Sequence, residues 1–407
     1  MWLLTVLMLA AMFFVPLYEW SIACLPFASF GVWALLTGLV ERKLRLKGRI
    51  GFAIIWFLYL CFVHTGFVLT GTLMPLDYIR GLVPFLFMGV AFLASASVRR
   101  ETDLMRYYFG LIAVAALFAS EQLSVLPAMM TGQIWRSTQA TTYFSVPFPL
   151  VGFHLSMALL VLSRRKLTFK AKGGLALFAG AMLIAELITG TRSLLLGCAI
   201  PLVFLMPGLK KAAAVLLVGS LLTLGGLMLG NRILQNALRF DDTMAATHGD
   251  FRDTNLATRA SENTAAIELF SQSPILGHGI GSKLLDPTNT GTPVAYIHNS
   301  PLYLLVDFGL FGMLYWAPIV VALRTCWRLR NSPWRSEVTG LGMAILGILI
   351  FAQGFVAVRG MHSTAALFSL VGAVEAIGSY RKTRRLYNTP SHLPFRPLAG
   401  LRNRALA

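Results

Sequence analysis

The chain has 407 residues, of which 56% are apolar and only 13% charged, with a mean hydropathy of +0.69; a soluble domain carries about a quarter charged residues. Long apolar runs recur from end to end, which excludes a water-soluble globular fold, and the strand alternation of an outer-membrane barrel is absent. The formal charge of +18 does not mark a nucleic-acid partner: eight of nine lysines lie in short connectors, and residues 231–299 hold five basic against seven acidic residues, so the excess is a topology signal.

The fold class that remains is an all-α polytopic integral membrane protein. A crossing helix needs roughly 20 apolar residues, which predicts about twelve spans. In chain order they cover residues 2–17, 21–40, 50–70, 79–98, 107–126, 144–163, 174–189, 193–208, 212–230, 301–323, 338–358 and 363–380. The N-terminus opens apolar without a basic leader, so residues 1–15 read as a retained helix rather than a cleaved signal. Four cysteines, none in the long loop, suit neither a disulfide framework nor a zinc site.

The connectors alternate in charge. Residues 41–49, 99–106, 164–172, Lys210-Lys211, 324–335 and the tail from Arg381 are basic. They share the cytoplasmic side if both termini are cytoplasmic. The other side then receives 71–78, 128–143, 190–192, 359–362 and the long loop. The long loop then faces outward, which means the periplasm in a Gram-negative cell. The expected organisation is one membrane domain: nine spans in 1–230, a large loop in 231–299, three spans in 300–380, and a basic tail in 381–407.

Within the loop, Leu256, Ala260, Ile267 and Phe270 recur at helical spacing and Pro274 ends the run. This predicts an amphipathic helix over 254–271, followed by a turn over 274–281 with its proline and three glycines. That glycine-rich turn is no dinucleotide fingerprint, because no strand–helix–strand unit surrounds it. Asp241-Asp242 has no supporting cluster for a metal. The tail from Asn388, rich in Pro and Arg, reads as disordered or lying on the membrane surface.

Several side chains stand out, each with a plainer alternative. Arg192, in Gly190-Thr191-Arg192-Ser193, is a bidentate cation at headgroup level, or an interfacial anchor. Arg259 on the loop helix is a second such cation, or one half of an i,i+3 ion pair with Glu262. His298 precedes a membrane helix and can move a proton or hold a hydroxyl or phosphate oxygen, or else caps and packs the helix. His278 is a weaker candidate of the same kind, and its setting between Gly277 and Gly279 favours a turn residue. Asp307 lies inside an apolar span after His298, marking a pathway, or else a carboxyl that is paired structurally or sits protonated; Glu121, Glu186, Glu375, His64 and His154 also fall inside apolar spans.

Taken together, the Thr-Gly-Thr-Arg-Ser junction, the Arg leading to the P-x-x-G-x-G turn, and His298-Asn299-Ser300 with Leu304, Asp307, Gly309 and Gly312 resemble the O-antigen ligase/polymerase family over roughly 187–316. Asp307 stands where that family usually has an acid, and Pro301 departs from its bulkier residue. The resemblance implies a metal- and cofactor-independent glycosyltransferase at the outer face of the inner membrane. Its donor would be an undecaprenyl-diphosphate-linked oligosaccharide. Its acceptor would be a sugar hydroxyl on a growing glycan (polymerase, slightly favoured, for exopolysaccharide or O-antigen) or on a lipid A core (ligase). Membrane lipids and other polysaccharide-assembly proteins are the implied partners. Arg192, Arg259 and His298 match the positions used around the diphosphate and acceptor. Asn299, Gly279, Gly281 and Asp307 are the accompanying substrate-binding candidates. A transporter or flippase is the alternative of another class.

Overall fold

The structure, a computed structural model, describes residues 2–11, 49–98, 100–131, 133, 147–163, 167–189, 191–205, 208, 254–285, 293–294, 297–353 and 361–388. The expected spans over 21–40 and 212–230 lie outside these residues, as do Asp241-Asp242 and the tail beyond Asn388.

The described chain is helical apart from one two-stranded antiparallel ribbon. It runs α1 (Trp2–Ala11), α2 (Arg49–Val63), α3 (Thr65–Leu69), α4 (Pro75–Ala96), α5 (Glu101–Ser124), α6 (Leu126–Met130), α7 (Pro147–Leu162), α8 (Phe169–Ile188) and α9 (Arg192–Leu205). The loop contributes α10 (Thr254–Gln272) and the ribbon β1 (Leu284–Leu285) with β2 (Pro293–Val294), in which Leu284 faces Val294. Then come α11 (Ser300–Phe308), a 3-10 stretch (Gly309–Tyr315), α12 (Ala317–Leu329), α13 (Arg335–Gln353) and α14 (Met361–Asn388).

Local chemistry sets the starts. Pro75 opens α4, where its missing N–H costs nothing, and Asp77 sits in the first turn. Glu101 and Asp103 complement the positive end of α5. Thr168 caps α8, its hydroxyl oxygen accepting from the Ala171 N–H at 3.2 Å. Among the described residues, six helical stretches are long and apolar enough to cross a membrane, and shorter apolar ones cover residues 56–69, 147–162 and 193–203. Leu177, Phe178 and Val320 point outward, as lipid-facing residues should.

The interior is built on close helix contacts. α14 lies along α4, and α13 is wedged between α7 and α9. A Cβ on Gly197 or Gly347 would sit 2.8 Å from the other's carbonyl oxygen, so only glycine lets α9 and α13 approach so nearly. His154, fully buried on α7, donates from Nε2 to the Gly197 carbonyl at 2.8 Å and ties in the third helix. A second knot is aromatic. Phe308 rests 5.0 Å from Phe57, 5.4 Å from Phe85 and 4.7 Å from His64, measured between ring centres. It joins α2, α4 and the end of α11.

Several elements differ from expectation: residues 50–69 are covered by two helices, α2 and α3, and α5 begins at Glu101, inside the connector expected over 99–106. The last helix continues past Tyr380 to Asn388. More consequentially, the span over 301–323 is not one helix. α11 stops at Gly309, whose φ of 60° and ψ of −150° are open to glycine and strained for other residues. Nothing in so apolar a run signals that stop, because its cause lies elsewhere in the chain.

Candidate functional site

The cause is the turn after α10. At the end of any helix the last carbonyls lack partners. Here the turn supplies them: the His278 N–H donates to the Val306 carbonyl (2.8 Å) and the Gly279 N–H to the Asp307 carbonyl (2.9 Å). Pro274 returns the favour by accepting from the Leu310 N–H at 2.8 Å. The two backbones touch, so a Cβ at Gly277 would collide with the Asp307 carbonyl and one at Gly309 with Ile275. Gly277, Gly279 and Gly281 all have positive φ (71°, 93° and 86°). The turn can thread between helices only with glycine at these places.

Asp307 completes the joint. It is fully buried, accepting from the Ser282 hydroxyl at 2.8 Å and the Gly281 N–H at 3.3 Å. On the other flank Ile280 is buried against Gly81 of α4, and Lys283 pairs with Asp77 at 2.7 Å. His278 fastens the turn back to α10, with Nε2 donating to the Leu269 carbonyl at 2.7 Å. The turn is therefore a three-way clamp among α10, α11 and α4. Gly279, Gly281 and Asp307, suggested by the sequence for substrate, are engaged in this scaffold, and His278 is the turn residue it was read as.

Replacing Asp307 with alanine strands the Gly281 N–H and the Ser282 hydroxyl, a loss of about 1–3 kcal/mol in how firmly the loop docks. Faster protease cleavage near residues 273–285 and a lower melting temperature in detergent are the expected readouts. An unchanged cleavage rate in Asp307→Ala would remove Asp307 from the clamp.

What the clamp holds in place is α10, lying along α11. Asn299 caps α11, its side-chain oxygen accepting from the Leu302 N–H at 3.2 Å. His298 stands just outside that cap. Its Nδ1 lies 2.7 Å from Oε2 of Glu262 on α10, and the same oxygen accepts from the His298 N–H at 3.4 Å. Glu262 is 7% exposed in its side chain and His298 is 28% exposed. The buried carboxylate thus backs a partly open imidazole.

Arg259 sits one turn before Glu262 on the same face of α10. Among the described residues it forms no ion pair, so the i,i+3 bridge to Glu262 that its spacing suggested is not made. Glu262 has turned to His298 instead. Arg192 opens α9, with its side chain outside the described residues. The structure thus joins His298 to Arg259's helix through Glu262, a residue that sequence reasoning used only as Arg259's partner.

An imidazole with a carboxylate behind it can take a proton from a hydroxyl, and a guanidinium can stabilise developing anionic oxygen. This arrangement lies within the segment that known proteins recognise. A family model described as O-antigen ligase matches residues 175–317, from within α8 to the start of α12. The resemblance to the O-antigen ligase/polymerase family therefore holds over that segment. No curated protein matches the chain.

Proposed function

We propose that this chain, whose residues 175–317 match a family model described as O-antigen ligase, is a membrane glycosyltransferase. It moves a glycan from undecaprenyl diphosphate to a sugar hydroxyl during surface-polysaccharide assembly. The observation that carries the reading is the His298–Glu262 pair beside Arg259 on a clamped helix.

The acceptor hydroxyl gives its proton to His298 while its oxygen attacks the anomeric carbon of the donor. The bond from that carbon to the diphosphate oxygen breaks, and polyprenyl diphosphate leaves with the electron pair. Arg259 and Arg192 meet the charge that accumulates on the departing oxygens, where bidentate cations act most strongly on a phosphate. Attack opposite the leaving group inverts the anomeric centre. The loop lies on the periplasmic side, over the sugars, and the lipid tail stays among the spans. Asn299, Gly279, Gly281 and Asp307 support the site by fixing the loop and α11.

Of the two acceptors, a growing glycan is slightly preferred over a lipid A core. A transporter draws support from the broken α11, since such breaks line ion sites in transporters. The carbonyls of Val306 and Asp307 weigh against it, because they are taken by the turn rather than offered to an ion.

The test uses purified full-length protein in detergent, where transport has no meaning, with polyprenyl-diphosphate-linked repeat units. With donor alone, a ladder of longer lipid-linked glycans is the expected product. Transfer only to added lipid A core would make it a ligase. No product with either acceptor would end the glycosyltransferase reading.

A further inference from the structure

From the geometry beneath the site we infer that Glu262 is a positioning residue: it fixes the tautomer and the plane of the His298 ring so that Nε2 is the proton acceptor. The inference rests on the glycosyltransferase reading and deepens it.

An imidazole has two nitrogens on opposite edges, and in the neutral ring only one carries the proton. Left alone, the ring interconverts between tautomers and turns about its side-chain bonds. An ionised carboxylate can only accept hydrogen bonds. With Oε2 of Glu262 at 2.7 Å from Nδ1, the proton belongs on Nδ1 and the lone pair on Nε2. Any group meeting Nε2 must then be a donor, as a sugar hydroxyl is. The second bond, from the His298 N–H to the same oxygen at 3.4 Å, ties ring and backbone to one atom and limits ring rotation.

Glu262 suits this part because its own position is determined. It projects from the middle of α10 and is 5% exposed. α10 in turn is held by His278 bonding to Leu269 and by the clamp on α11. A carboxylate meant to touch sugar or diphosphate would not be placed behind the imidazole, and a negative charge facing the diphosphate would oppose binding. Glu262 therefore acts through His298.

The experiment compares Glu262→Gln, Glu262→Asp and Glu262→Ala with His298→Ala in the same detergent assay, measuring kcat and KM for donor and acceptor separately. Glu262→Gln keeps the shape but lets an amide N–H face Nδ1. Its kcat should fall about 10- to 100-fold, the value in rate of one charge-assisted hydrogen bond to the base, with KM for the donor little changed. Glu262→Asp should recover part of that loss, since it restores the charge from a shorter arm. A purely structural glutamate predicts otherwise: Gln would be harmless, and Ala would lower the melting temperature in step with activity. Wild-type kcat in Glu262→Gln together with an inactive His298→Ala overturns this inference alone. Full activity in His298→Ala would instead remove the base on which it rests.

Discussion

His298→Ala is expected to lower kcat about 10²- to 10⁴-fold, the range that a positioned general base supplies. The imidazole can take a proton while staying open to a substrate: its side chain is 28% exposed, against 7% for the Glu262 behind it. Removing it leaves the cap of α11 intact, because Asn299 and not His298 receives the Leu302 N–H. It also leaves the clamp intact, since none of the bonds from 274–282 to α11 involves residue 298. Loss of activity should therefore exceed the loss of fold, which is limited to about 1–3 kcal/mol for the stranded Glu262 carboxylate, and a melting curve in detergent beside the assay separates the two. His298→Gln provides a control. The amide keeps a hydrogen bond to the acceptor but takes no proton, so it should recover binding, seen in KM, and not rate. Wild-type turnover in His298→Ala would mean that the acceptor is deprotonated elsewhere.

The path to that imidazole was partly readable from the chain. The helix carrying Arg259 was expected over 254–271 and runs Thr254–Gln272, because apolar spacing and a following proline are local signals. The turn after it was legible for the same reason: glycines at 277, 279 and 281 restrict nothing but themselves. The break at Gly309 was not, because an apolar run longer than a membrane needs looks the same whether or not another segment inserts into it. The inserting backbone is about 30 residues upstream, and no periodicity records a contact of that kind. The pairing of Glu262 is hidden for a related reason. Its i,i+3 neighbour Arg259 offered a pairing visible in sequence, whereas its actual partner, His298, is 36 positions away. Asp307 was visible as a buried acid and left open between pathway and pairing. Its bonds to Ser282 and Gly281 show the pairing.

That same turning of Glu262 towards His298 determines what Arg259 should be worth. An arginine already bridged to a carboxylate on its own helix would have its charge offset by that partner, and its removal would be a surface change of a few tenths of a kcal/mol. Among the described residues Arg259 has no such bridge, it is partly buried, and its helix is clamped at its C-terminal end. A guanidinium carried on a clamped helix has most effect where negative charge grows during reaction, which in the proposed transfer is the oxygen leaving with the diphosphate. Arg259→Ala is therefore expected to cost about 10²- to 10³-fold in kcat, comparable with deleting one preorganised donor from an oxyanion site. Arg259→Lys should recover only part of that, since a lysine restores the charge without the two-pronged geometry that matches phosphate oxygens. The split between constants is the sharper measurement. If Arg259 only held the donor before reaction, KM would rise and kcat would stand; if it meets charge made in the transition state, kcat falls and KM changes little. Making the departing group a better anion separates the cases again. A donor with a more acidic leaving group should be less sensitive to Arg259→Ala, because it has less need of the cation. Equal losses for both donors would restrict Arg259 to binding and leave stabilisation of the leaving diphosphate to Arg192.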